Sequence, residues 1–286
     1  MAQLNPPREG NGNRQPEEEW KRISDLCNER IQDLGSRWRI HDQGGQGVLF
    51  ATGGRRLIGD PLPQALVDEE NLQREVGLSY ALFNARSRLE LPDNCRFISW
   101  EAPLLRSTEN IPRAPRVRCD LIAYDADAKT LVAVEVKFDP NQEDTNIQSG
   151  LLQAIEYGYI LDCARRSHGF ALEQQVQQCL NVWCGEEDPE RTIEKITYTL
   201  AAPEEYFRHG FQAPVQATAI SDWIEKLIKC PNISFDGFWV IDSANVEPGM
   251  QVDDLGYVPI IDCKVRRVHN AKDLPGYSAA GGSLDN

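Results

Sequence analysis

The chain has 286 residues, 41% of them hydrophobic and 26% charged, which is enough for a sizeable buried core. Its formal charge of −14 sets the surface as a whole against a polyanion, so a nucleic-acid partner would need a local basic patch or a bound divalent cation. No run approaches the roughly 18 apolar residues of a membrane-spanning helix, and the eight cysteines show no CxxC spacing, which speaks against a zinc or iron–sulfur site.

Several cysteines sit inside apolar runs ("RCDLI", "IIDCKV"), as free thiols do in a reducing compartment. The opening "MAQLNPPREGNGNRQPEEEW" has no apolar core, so no signal peptide is expected and the location expected is cytoplasmic.

In chain order, residues 1–16 read as a flexible tail, and "EEEWKRISDLCNERIQDLG" as a helix with acids in its first turn and Gly35 just past its end. The glycine-rich "DQGGQGVLFATGGRRLIGD" closes a segment 17–62 and reads as a loop or short hairpin rather than a phosphate loop, because no strand precedes it and no GKS or GKT follows it. From Pro63 to Leu89 the spacing of Leu72, Val76, Tyr80 and Phe83 predicts a helix. "CRFISW" predicts a strand, and "RCDLIAYDADAKTLVAVEVKF" a hairpin. Helices follow at "TNIQSGLLQAIEYGYILDCARRS" and "ALEQQVQQCLNVW", then a strand at "EKITYTLAA" and a helix at "AISDWIEKLIK". "FDGFWVID" and "VPIIDCKVRRV" read as late strands, and 271–286 as a loose tail. The expected fold class is a mixed α/β domain over 63–270, with extra C-terminal strands and a helix.

The hairpin carries the chemistry. With its turn at Asp125–Thr130, Tyr124 faces Leu131, and the same register sets Asp120 opposite Glu135 and Arg118 opposite Lys137. One face is then wholly apolar, from Cys119 and Leu121 to Val134 and Val136; the other gathers Arg118, Asp120, Glu135 and Lys137 at the end far from the turn. Carboxylates directly across a ladder have Cβ atoms about 5 Å apart and repel as bare anions. A divalent cation removes that conflict, and a neighbouring lysine can polarise a water for attack on a phosphodiester.

The pattern "D120…E135-V-K137", with fourteen residues between the two acids, resembles the core of the PD-(D/E)XK phosphodiesterase superfamily, the restriction-endonuclease-like fold. "QAIEY" after the hairpin sets Gln153 and Tyr157 one helical turn apart and resembles the QxxxY motif of the RecB-like and Cas4-like branch. The likeness spans residues 66–201, and departs at Cys119, where the family name has proline. It implies a mixed sheet flanked by helices and a nuclease that uses Mg2+, with Mn2+ as substitute. The implied metal set is Glu75, Asp120, Glu135 and the Val136 carbonyl, with Glu70 and Glu101 as alternatives for the first acid. The implied catalytic set is Asp120, Glu135 and Lys137, with Gln153 and Tyr157 positioning the nucleic-acid backbone.

DNA is the favoured substrate, and defence against foreign DNA or DNA repair the favoured setting, both by the resemblance alone. Arg113, Arg116 and Arg118 in "RAPRVR" are the first candidates to meet phosphates, with Arg165, Arg166, Lys264, Arg266 and Arg267 behind them. No membrane partner is expected; a protein partner or a homodimer is compatible with the chain. Two competing matches are set aside: Glu19–Lys21 sits in a surface helix, and Asp262–Lys264 lacks the following helix and QxxxY. The alternative reading is a subunit of the same fold that binds nucleic acid or protein and is catalytically silent or needs a partner to cut.

Overall fold

Six strands form one mixed sheet, flanked by helices. A computed structural model describes residues 14–34, 66–105, 117–138, 146–184, 192–211, 214–243, 245–252 and 256–277. β1 (Arg96–Leu105), β2 (Val117–Asp125) and β3 (Thr130–Val136) run antiparallel. β4 (Lys195–Pro203) lies parallel to β3, and β5 (Ser234–Ile241) parallel to β4; β8 (Val265–Val268) closes the far edge antiparallel. The glycine-rich segment lies outside the described residues.

Every residue of β3 is buried, so both faces of the sheet centre are covered. The hairpin turn is fixed by Asp125, whose Oδ1 accepts the amides of Asp127 and Ala128 at 2.9 Å each. Tyr124 pairs with Leu131 as the alternation requires. α3 (Ile147–Cys184) forms the crossover from β3 to β4 and packs on both. It is one helix of 38 residues where the sequence suggested two. Gly169 between the two segments costs about 1 kcal/mol against alanine, too little to break a helix buried on either side of it, at Ile160, Leu161, Leu172 and Val176.

α1 (Pro16–Leu34) opens with Glu17, Glu18 and Glu19 at the positive end of its dipole and docks on α3, where Trp20 meets Tyr159 edge-on at 5.3 Å. α4 (Glu204–Gly210) and α5 (Pro214–Leu227) connect β4 to β5.

α2 is shorter than the spacing suggests, running only Glu75–Asn84 after a single turn at Glu69–Asn71. The chain is extended at Arg74 (φ −132°, ψ 173°), so Leu72 is buried from outside the helix rather than on its stripe. "VPIIDCKVRRV" is likewise two strands in different sheets. β7 (Tyr257–Ile260) pairs with β6 (Glu247–Gln251), whereas β8 joins the main sheet. The break is held at Lys264, whose amide donates to Asp242 Oδ1 at 2.8 Å. Residues 271–277, expected to be loose, are packed: Ala271 and Leu274 are buried and Tyr277 meets Phe211 edge-on at 5.7 Å. No described helix is long and apolar enough to cross a membrane, and Cys27, Cys95, Cys119, Cys163, Cys179, Cys230 and Cys263 form no disulfide.

Candidate metal centre

The β2–β3 ladder runs from Asp125–Thr130 to Leu121–Val134, and the acids lie just past its end. There Asp120 Oδ2 accepts the Val136 amide at 2.8 Å, a side chain taking over from the backbone where the ladder stops. Val136 and Lys137 stay on β4 instead, Val136 opposite Ala201 and the Lys137 amide donating to the Ala201 carbonyl at 2.9 Å. Glu135 pairs with Leu200 and faces α3.

Glu75 arrives from a different direction, as the first residue of α2. Two glycines make the approach possible. A Cβ on Gly77 would lie 2.1 Å from the Leu72 carbonyl oxygen, so only glycine lets the preceding segment cross the first turn of the helix this closely. A Cβ on Gly150 would lie 2.9 Å from Leu200 Cδ1 and 3.2 Å from Lys137 Cγ, so α3 presses directly on the lysine stem. The small C-terminal sheet steadies α2 from outside. Asn84 Nδ2 donates to the Pro259 carbonyl at 3.1 Å, Gln73 Nε2 to that of Val246, and the amides and carbonyls of Val67 and Tyr257 pair at 2.9 Å.

One carboxylate oxygen from each of Glu75, Asp120 and Glu135 lies within 4.8 Å of the other two. Lys137 Nζ sits among them, 2.5 Å from Glu135 Oε1 and 3.0 Å from Glu75 Oε2. Glu135 and Lys137 are buried, Glu75 about two-fifths exposed, so the cluster meets solvent on the Glu75 side. Burial, then the Glu135 and Glu75 carboxylates, push the Asp120 carboxyl well above the usual range, against the pull of Lys137 and the Val136 amide. Burial works against the Lys137 ammonium, yet Glu135, Glu75 and Asp120 outweigh it and raise its pKa above the ordinary value.

The donor set is all hard oxygen, and Glu135 Oε2 is buried with no hydrogen-bond partner among the described residues. A buried carboxylate oxygen without a donor is costly unless a cation neutralises it. The cluster could therefore hold a metal ion, and its oxygen donors suit a hard cation.

Tyr157 is buried on α3, where burial and then the charges of Glu135 and Asp120 hold its phenol well above its usual pKa, so it stays a hydroxyl. Gln153, one turn from both Gly150 and Tyr157, has its Oε1 buried and unpartnered among the described residues. Glu70 is exposed and stands outside the cluster, so the helix acid is Glu75. The side chain of Glu101 lies outside the described residues, as do Arg113, Arg116 and the side chain of Arg118. Four of the other candidate basic residues are held in ion pairs: Arg165 and Arg166 with Asp162, Arg266 with Glu204, Arg267 with Asp93 and Asp236. Asp262 and Lys264 are exposed between β7 and β8.

One residue at the site escapes the sequence patterns. Tyr206, on α4, is buried, and burial raises its phenol pKa; Lys137 opposes that shift while Glu135 and Glu75 add to it. Its signal was topological: β3 and β4 are parallel, so whatever follows β4 emerges at the end where Glu135 and Lys137 stand. Comparisons with family models, curated proteins and solved structures return no match.

Proposed function

We propose that the chain is a divalent-metal-dependent nuclease of the PD-(D/E)XK kind, hydrolysing phosphodiester bonds. The observation that carries this reading is the convergence of Glu75, Asp120 and Glu135 within 4.8 Å, with the Lys137 ammonium among them. Glu75, Asp120 and Glu135 hold the cation, with the Val136 carbonyl as the further ligand that the resemblance supplies. When bound, Mg2+ contributes Lewis acidity, neutralising charge on a phosphate oxygen and making a water easier to deprotonate.

The chain's own groups do the rest. Lys137, kept charged by its acidic neighbours, donates hydrogen bonds to the attacking water and to the charge that develops on the phosphate. Tyr157, kept protonated, and the Gln153 amide donate to the substrate backbone. DNA is the preferred substrate and defence or DNA repair the preferred setting, both on the resemblance.

The test is incubation with plasmid, single-stranded DNA and RNA in Mg2+, Mn2+ or EDTA, using the wild type, Glu135→Ala and Lys137→Ala. Cleavage is expected with metal and lost in EDTA and in both variants; cutting that persists in Glu135→Ala removes this site from the mechanism. The −14 charge favours a second reading, a subunit that engages nucleic acid only with a basic partner. An isolated protein that binds Mn2+ but cuts nothing supports that reading.

A further inference from the structure

α4 starts at the end of the sheet where the acidic cluster lies. β4 runs parallel to β3 and ends at Pro203, level with the residues just past Glu135, and α4 begins at once. Gly210 on α4 lies so close to Ile147 that a Cβ there would approach Ile147 Cδ1 to 2.5 Å. One turn further along α3, Gly150 rests on the Lys137 stem. Tyr206 stands one turn before Gly210 on α4, and its ring is fixed by an edge-on contact with Phe207, which in turn meets Phe238. The charges that bear on its phenol are those of Lys137, Glu135 and Glu75.

The Tyr206 hydroxyl is buried and has no hydrogen-bond partner among the described residues, in a neighbourhood rich in acceptors. Leaving a buried hydroxyl unpaired is unfavourable. Glu135 Oε2, in the acidic cluster, and Gln153 Oε1, one turn along α3 from Gly150, are also buried and unpartnered among the described residues. Unmet polar atoms at the cluster call for polar contents. A phenol that stays protonated supplies the donor that the carboxylates lack.

We infer that Tyr206 is a positioning residue of this cluster, its hydroxyl placed to donate a hydrogen bond to a hydration water of the divalent cation that Glu75, Asp120 and Glu135 would hold. The inference rests on the metal-site reading above and adds a residue from outside the hairpin and its two flanking helices. Tyr206→Phe keeps the ring and removes only the hydroxyl. A purely structural tyrosine with a bonded hydroxyl would lose stability on that change. An unpaired one loses none, so the variant should melt in EDTA at or above the wild-type temperature.

The experiment is Mn2+ titration followed by the electron paramagnetic resonance of free Mn2+, on wild type, Tyr206→Phe and Glu135→Gln, with melting curves in EDTA. Tyr206→Phe is expected to bind Mn2+ about three- to tenfold more weakly, with an unchanged or higher melting temperature. Where the wild type cuts DNA, kcat should fall about tenfold at unchanged KM. Wild-type Mn2+ affinity in Tyr206→Phe overturns the inference while leaving the metal site standing. A wild type that takes up no Mn2+ overturns both. A variant that melts several degrees lower makes Tyr206 a structural residue, and also overturns the inference.

Discussion

The Lys137 ammonium lies 2.5 Å from Glu135 Oε1 and also reaches Glu75, so in the metal-free chain the lysine is itself the cation of the acidic cluster. Removing one partner of a buried ion pair leaves uncompensated charge and costs roughly 3–5 kcal/mol. Lys137→Met should therefore lower the melting temperature markedly in EDTA. Added Mn2+ should restore more of the loss than it adds to the wild type, because the ion then replaces the missing ammonium. Melts of both proteins with EDTA and with Mn2+ check this; equal curves in EDTA would mean that the pair carries no stability.

The Asp120 carboxyl predicts a pH dependence of opposite sign to most acidic residues. Its folded pKa is raised by burial and by Glu135 and Glu75, so the folded chain holds this proton more tightly than the unfolded chain does. Stability from this group is full below the unfolded value, about pH 4, and is lost as pH rises through the folded value. Urea midpoints of the metal-free protein should accordingly fall over that window. Asp120→Asn should flatten the trend. Mn2+ should release protons into a weakly buffered solution, since the ligand form is the carboxylate. A midpoint that rises with pH equally in both proteins would rule out this proton.

The hairpin could be read from the chain because its information is local. Alternation of period two fixed which residues share a face, and the Asp125 turn fixed the register, so Asp120, Glu135 and Lys137 could be grouped without any long-range contact. Glu75 was reachable only as one acid among several. What singles it out is an extended residue at Arg74 and a carbonyl pressed on Gly77, neither of which leaves a periodic trace. Tyr206 left none either, because a buried aromatic near a strand end looks like core. The late strands misled for a related reason: one apolar run served two sheets, and only Asp242, 22 residues before Lys264, decides where it breaks.

That break matters, because β6 and β7 hold the helix that presents Glu75. Asn84 bonds to the Pro259 carbonyl and Gln73 to that of Val246, on either side of the acid along the chain. Each such bond contributes about 1 kcal/mol net. Asn84→Ala combined with Gln73→Ala should lower the unfolding free energy by about 2 kcal/mol and weaken Mn2+ binding, although neither side chain is a ligand. Calorimetric Mn2+ titration against a urea denaturation series separates the two effects. Unchanged Mn2+ affinity in a destabilised double variant would show that the small sheet supports the fold but not the site.

Gly77→Ala sets two principles against each other. Inside a helix, alanine is favoured over glycine by about 1 kcal/mol, so propensity alone predicts a more stable protein. At this position the new Cβ would sit 2.1 Å from the Leu72 carbonyl oxygen and 2.5 Å from that of Asn71, and both are backbone atoms that no rotamer change can move. Overpacking costs about 1–3 kcal/mol, and a clash this close with fixed backbone belongs at the upper end, so the clash should win and the variant should be destabilised by about 1–2 kcal/mol net. The strain falls two residues from Glu75, so Mn2+ affinity should drop with it, whereas alanine at the open, half-exposed Gly169 should stabilise the chain and leave the metal alone. Urea midpoints and Mn2+ titration of the two alanine variants side by side decide it. A stabilised Gly77→Ala would mean that the Leu72 segment does not cross the helix this closely.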